Sequence, residues 1–393
     1  MASQMNIDPQ TMGKPPLVSG THLRPLDALR GLASLYITIH HAIQLAGSSI
    51  DKIPLPFKAI VKFFSYGHYS VDVFIVLSGF CLMLPIVRNG GIMRESTIEF
   101  YVKRARRILP PYYLALLLSI LAIFFLIGKP TGEAWDMSLS IQPHDVISHI
   151  LLIHDLFRET RVTINPVFWS IAVEWRIYLL FPAIVLMWKK WGSLKTTVLL
   201  SGISCLFPLI FSKIPSLNLD PIGPSPHFVA LFLLGMLACD LLFIDSELNR
   251  TLRDEFPWNE TMILSLLLSL PTYQFFSVGG QSWMIADLLM GFFSFSLLMM
   301  VFLGRSSILS TILNLRLLTK LGNFSYSLYL LHMPCLQLVI QYVIKPFGLN
   351  STFNFLLLIF AALPFSFIVS YAFFLICERP FLSQSAKRSL AID

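Results

Sequence analysis

"FYVKRARRILPPYYLALLLSILAIFFLIG", residues 100–128, settles the class of fold. Lys103, Arg104, Arg106 and Arg107 precede a run from Ile108 to Gly128 that carries no charged side chain. About 20 apolar residues are what a helix needs to cross the hydrocarbon layer. Backbone groups in lipid must bond to one another, so such a segment is helical. Lys and Arg beside a span mark its cytoplasmic end.

The same pattern recurs outward along the chain. Ten spans are expected near 29–48, 68–87, 108–128, 167–188, 196–212, 227–244, 261–277, 283–304, 323–344 and 353–376. The 393 residues are 55% hydrophobic and 13% charged, with mean hydropathy +0.70, against roughly 25% charged in soluble domains. The expected fold class is therefore all-α: a polytopic transmembrane helix bundle of about ten spans. The Lys/Arg-rich stretches 88–107, 189–195 and 305–320 and the tail after Glu378 fall on one side, placing both termini in the cytosol. The loop 245–260 has more acids than bases, but acids count little in this rule.

Residues 1–22 are polar and proline-containing and read as a disordered cytosolic tail, 23–381 as one transmembrane domain, and 382–393 as a cytosolic C-terminal tail. In the connection 129–166, "HDVISHILLIHDLF" (144–157) is too short to span and reads as an interfacial or re-entrant helix. The net charge of +7 comes from bases beside apolar runs, which excludes nucleic acid as a partner and leaves the lipid bilayer. Cys81, Cys205, Cys239, Cys335 and Cys377 form no close pairs, so neither disulfides nor a metal site is expected. Histidines 22, 68, 144, 149, 154 and 227 are expected at the surface or membrane interface.

The first span holds the polar residues that matter most. In "LRPLDALRGLASLYITIHHA" (23–42), Arg30 and His41 are eleven positions apart. That is about 1100° of helix, within ~20° of whole turns, and a rise of about 16 Å. Asp27, Arg30, Ser34 and His41 share a stripe, with His40 on the flank. An intramembrane imidazole marks a pathway or reaction site, and His41 can take up and release a proton. His40 reads as packing.

The segment resembles the opening of the integral-membrane acyltransferase 3 family, in which an Arg is followed after ten residues by a His; Arg30 and His41 match that spacing. The resemblance continues through "SVDVFIVLSGFCLMLP" (70–85), "FYVKRARRILPPYY" (100–113), "FWSIAVEWRIYLLFP" (168–182), "FLLGMLACD" (232–240), "LGNFSYSLYLLHMP" (321–334) and "ERPF" (378–381). It implies transfer of an acyl group, with acetyl expected, from acyl-CoA to a hydroxyl on a sugar, lipid or small metabolite. Arg104 and Arg107 fit the family's Arg-x-x-Arg pattern, and guanidinium groups suit the phosphates of a coenzyme A donor alongside Arg30.

Glu174, with Ser170 four residues before and Tyr178 four after, is expected to orient His41 or position the acceptor, or else to pair with Arg176. Trp175 and Arg176 stand where many family members carry a second acid. Ser78 and Gly79 allow close helix or ligand approach. Asp72 binds acceptor or caps its helix. Ser325, Tyr329 and His332 form another stripe, and His332 either lines the acceptor cavity or satisfies carbonyls freed by Pro334. His41 acts either as a base or as a transient acyl carrier. A proton-coupled transporter of a polar metabolite using His41, Glu174 and His332 is the competing reading, and a non-catalytic scaffold a third.

Overall fold

Ten long helices stand where the apolar runs predict them. The computed structural model describes residues 23–211, 225–279, 283–383 and 387, so the tail 1–22 and most of 382–393 lie outside the described residues. The long helices are α1 (Arg24–Ala46), α2 (Tyr69–Arg88), α3 (Thr97–Ile127), α4 (Trp169–Trp191), α5 (Ser193–Phe211), α6 (Phe228–Phe243), α7 (Trp258–Gly279), α8 (Met284–Phe302), α9 (Ser325–Ile344) and α10 (Ser351–Phe381). No strand occurs among the described residues.

Six of them, α2, α3, α4, α8, α9 and α10, are long and apolar enough to cross a membrane. A seventh is possible if α6 and the helix Glu247–Glu255, bent by 102°, count as one span. Of the remaining helices, α6 has only 16 residues and α1 carries its charges and imidazoles along its length.

Local chemistry sets the helix starts. Ser96 Oγ accepts from the Glu99 amide at 3.2 Å and Glu99 Oε2 from the Ser96 amide at 2.9 Å, a capping box that opens α3 just before its basic turn. Glycines set the closest helix contacts. A Cβ on Gly79 of α2 would lie 2.0 Å from the Phe232 carbonyl oxygen, and one on Gly235 of α6 1.9 Å from that of Val76. The short helix Arg316–Asn323 meets α1 in the same way, through Gly31 and Gly322. Small residues thus let backbones touch where lipid offers no hydrophobic drive to hold helices together.

The connection before α4 is built rather than loose. It holds a short helix, Pro143–Ile150, and a single turn, His154–Leu156. Asp155, fully buried, is gripped by the Arg176 guanidinium, with Nη1 at 2.7 Å from Oδ1 and Nη2 on Oδ2. His149 and His154 stack with ring centroids 3.9 Å apart. The expected surface placement is therefore wrong for His149, His154 and His227, all buried, and for the largely buried His68; His144 is exposed as expected. Each of the buried imidazoles packs on neighbouring rings or carboxylates, contacts that tertiary structure alone supplies.

Two predictions follow from these contacts. Gly79→Ala or Gly235→Ala forces backbones apart and is expected to cost at least about 2 kcal/mol, read as a lower melting temperature in detergent. Gly202→Ala, whose Cβ meets nothing within 4 Å, is expected to be neutral or stabilising by up to ~1 kcal/mol. Burial lowers His149 to about 4 and lowers His154 as well. The unfolded chain binds those protons first, so stability is full above about pH 6.5 and falls as pH drops toward 4. His149 alone should remove about 2 kcal/mol at pH 5, and His149→Gln should flatten that part of a melting-temperature profile.

Candidate active site

A cavity of ≈ 620 Å³ opens among α1, α2, α3, α4, the turn joining Arg316–Asn323 to α9, and the end of α10. Its polar wall comprises Asp27, Arg30, Ser78, Arg88, Arg104, Arg107, Ser170, Glu174, Tyr178, Tyr329 and Glu378. Three guanidinium groups expected to act together, Arg30, Arg104 and Arg107, therefore face one space. Volumes of a few hundred Å³ or more suit small-molecule ligands.

Each charge is held differently. Arg30 donates through Nη1 to Asp27 Oδ1 at 3.3 Å and through Nη2 to Cys81 Sγ at 3.1 Å. The Arg104 guanidinium lies 5.6 Å from the Phe100 ring centroid, and its buried Nε has no hydrogen-bond partner among the described residues. An anionic ligand would satisfy that donor. Opposite, Glu174 Oε1 accepts from Ser78 Oγ and from Tyr178 Oη, which itself reaches Ser78 Oγ at 3.2 Å. Glu174 thus neither pairs with Arg176, which grips Asp155, nor bonds to His41.

His41 is held by His332. The His332 Nδ1 lies 3.0 Å from the Leu328 carbonyl oxygen and 2.9 Å from that of Tyr329. Carbonyl oxygens only accept, so Nδ1 carries the proton, and in the neutral ring Nε2 is an acceptor. His41 Nδ1, 3.1 Å from that Nε2, must then donate. The His41 Nε2 lone pair is left free, the tautomer a proton or acyl acceptor needs. His40 is structural: its Nδ1 meets the Phe64 carbonyl oxygen at 2.8 Å, and its ring abuts Gly67.

The two imidazoles are absent from the cavity wall. A floor separates them from it: Ser170 Oγ and Tyr329 Oη lie 2.7 Å apart, and the Tyr329 and His332 rings are 5.8 Å apart. His332 does not satisfy the carbonyl freed by Pro334 either, since Asn165 Nδ2 donates to Leu330 O at 3.1 Å. Asp72 stands apart from the cavity, fully buried in the first turn of α2 beside Asp287 and His68. Sequence reasoning missed Glu378, which lines the cavity and accepts from Ser327 Oγ at 2.5 Å, and Cys81. Glu378 sits in the quoted "ERPF", and an acid closing an apolar span was the available signal.

The model of the acyltransferase domain family (acyltransferase 3) matches residues 24–375. The chain is 26% identical over 352 residues to the O-acetyltransferase OatA of Staphylococcus aureus strain NCTC 8325 / PS 47, covering 84% of this chain and 53% of that protein. The match to OatA of strain COL has the same identity and coverage. This chain spans about half the length of these relatives. No solved structure matches it. The chain belongs to the acyltransferase 3 family and is an integral, multi-pass membrane protein.

Asn165 is fully buried and caps α9 at its proline. Asn165→Ala should cost about 1–3 kcal/mol by stranding the Leu330 carbonyl, visible as a lower melting temperature in detergent.

Proposed function

From family membership and the make-up of the cavity, we propose that residues 23–381 form one membrane-embedded O-acyltransferase domain. It moves an acetyl group from acetyl-CoA, its acyl-CoA co-substrate, to a hydroxyl of a carbohydrate, lipid or small metabolite. The observation that carries this reading is the convergence of Arg30, Arg104 and Arg107 on one cavity, with the tautomer-fixed His41 directly behind its floor. Arg88 and Asn89, in and beside the basic segment 88–107, line the same cavity. In this reading its mouth faces the cytosol, the chain crosses the bilayer ten times, and both termini are cytosolic.

In the base form of the reaction, His41 Nε2 takes the proton of the acceptor hydroxyl as the oxygen attacks the thioester carbonyl. The C–S bond breaks, and the proton passes from His41 to the leaving sulfur, giving free thiol and ester. His332 keeps the other His41 nitrogen protonated and the ring oriented. The Ser78–Glu174–Tyr178 group and Tyr329 line the route toward the floor and position the reactants. Asp72 is not among the residues that line the cavity and is given no part in the reaction here.

A relay form would use the same His41 nitrogen as a nucleophile. There Nε2 itself takes the acyl carbon, thiolate leaves, and the acceptor oxygen then displaces the imidazole, which receives the hydroxyl proton. Labelled acyl-protein formed without acceptor supports the relay, and strict dependence on a ternary complex supports the base.

The decisive experiment measures acetyl transfer or acetyl-CoA hydrolysis by purified protein against a panel of hydroxylated acceptors. His41→Ala is expected to lower turnover by about 10²–10⁴-fold. Arg104→Lys and Arg107→Lys should raise KM for acetyl-CoA more than they lower kcat, because Lys does not reproduce paired phosphate contacts. Full turnover by His41→Ala overturns the proposal. Uptake of a metabolite driven by a pH gradient and indifferent to acetyl-CoA would establish the transporter instead.

A further inference from the structure

A second polar centre lies away from the cavity, where α2 and α8 begin. His68, Asp72 and Asp287 each bring one ligand-type atom to within 4.8 Å of the others. Asp72 is fully buried and Asp287 nearly so. Both Asp72 carboxylate oxygens, Asp287 Oδ1 and His68 Nε2 are buried without a hydrogen-bond partner among the described residues. His68 Nε2 is in ion-pair range of Asp287 Oδ1, at 3.1 Å. Both Asp72 oxygens converge on this pair with no partner of their own among the described residues.

Such an arrangement is unfavourable by itself. Two buried carboxylates this close repel, and each unpaired oxygen forfeits its hydration. The start of a helix favours a carboxylate, and Asp72 and Asp287 both lie in first turns. That offsets part of the cost without removing their mutual repulsion. A cation between them does remove it.

We propose that His68, Asp72 and Asp287 form a binding site for a divalent transition-metal ion. One imidazole nitrogen and two carboxylates supply three ligands of the kinds zinc accepts, leaving a fourth position for water. Their two negative charges balance the ion. The surroundings fix the ligands: the His68 ring stacks on Trp169 at 5.8 Å and meets Trp283 edge-on at 4.8 Å. Asp287 Oδ2, the oxygen turned away from His68, accepts from His227 Nε2 at 2.8 Å. A hydrogen bond on the remote oxygen of a ligating carboxylate is a regular outer-shell feature of metal sites. Sequence gives only a weak hint of this centre: His68 and Asp72 stand four apart, a spacing that can place two ligands together, but Asp287 follows 215 positions after Asp72. The proposal is independent of the acyl-transfer reading.

The test uses the full chain in detergent, stripped with chelator, equilibrated with Zn²⁺ or Co²⁺ alone, desalted and assayed for bound metal. Wild type should retain about one ion per chain, with visible Co²⁺ absorption bands and a melting temperature that Zn²⁺ raises. His41→Ala should retain the same ion, so failure of the acyl-transfer reading leaves this result untouched. Asp72→Asn and His68→Gln should lose the ion and the Zn²⁺-dependent shift, and His227→Gln should weaken binding by about 10–100-fold. Melting in chelator checks folding: Asp72→Asn should melt no lower than wild type there, since it removes the repulsion. If wild type binds no more metal than Asp72→Asn, or if folded Asp72→Asn keeps the ion and its Co²⁺ bands, the centre holds protons instead and the proposal fails.

Discussion

A guanidinium carried into an apolar bundle is the constraint around which this molecule is arranged. Arg30 sits nearly two turns past the start of α1, and a lone charge there would be prohibitively costly. Asp27 and Cys81 meet two of its nitrogens, and the cavity gives the rest of the group a polar space. Three other arginines, Arg88, Arg104 and Arg107, and two further acids, Glu174 and Glu378, complete that space from four helices. The charges are tolerable because they are gathered, and gathering them creates a chamber in a structure that otherwise has few polar groups.

The chamber ends on a polar floor rather than on open solvent. Ser170 and Tyr329 close it by a direct hydrogen bond, and one turn beyond Tyr329 lies His332. The chain of contacts from floor to His332 to His41 is short and uses backbone carbonyls to set each proton. Fixed carbonyl acceptors are a rigid way to assign a tautomer in a region that excludes water.

What the sequence made legible was local. Helix positions followed from runs of apolar residues, and the Arg30 to His41 stripe from helical period alone. The family resemblance, with His41 singled out over His40, followed from spacing. Contacts between distant segments were not legible: His41 and His332 are 291 positions apart, and of the alternatives for Glu174 the pairing with Arg176 is not made because Asp155, on another segment, takes that guanidinium. The span count was met only in part, with six helices long and apolar enough to cross. Hydropathy treats a polar helix such as α1 and a short one such as α6 as equivalent to a lipid-crossing rod, whereas neighbours that bury them decide how they sit. The buried histidines were misplaced because loops read as exposed until packing is seen.

The glycine seams divide the bundle mechanically. Where α2 meets α6 and α1 meets Arg316–Asn323, main chains are in contact, and neither pair can slide or part without breaking many close approaches at once. α3 has no such seam: its glycine-free, largely lipid-facing shaft leans on neighbours through tyrosine and phenylalanine side chains, and it carries Arg104 and Arg107. The chamber is thus walled in two ways: main-chain contact backs the side that carries Arg30, and side-chain contact alone joins the side that carries Arg104 and Arg107.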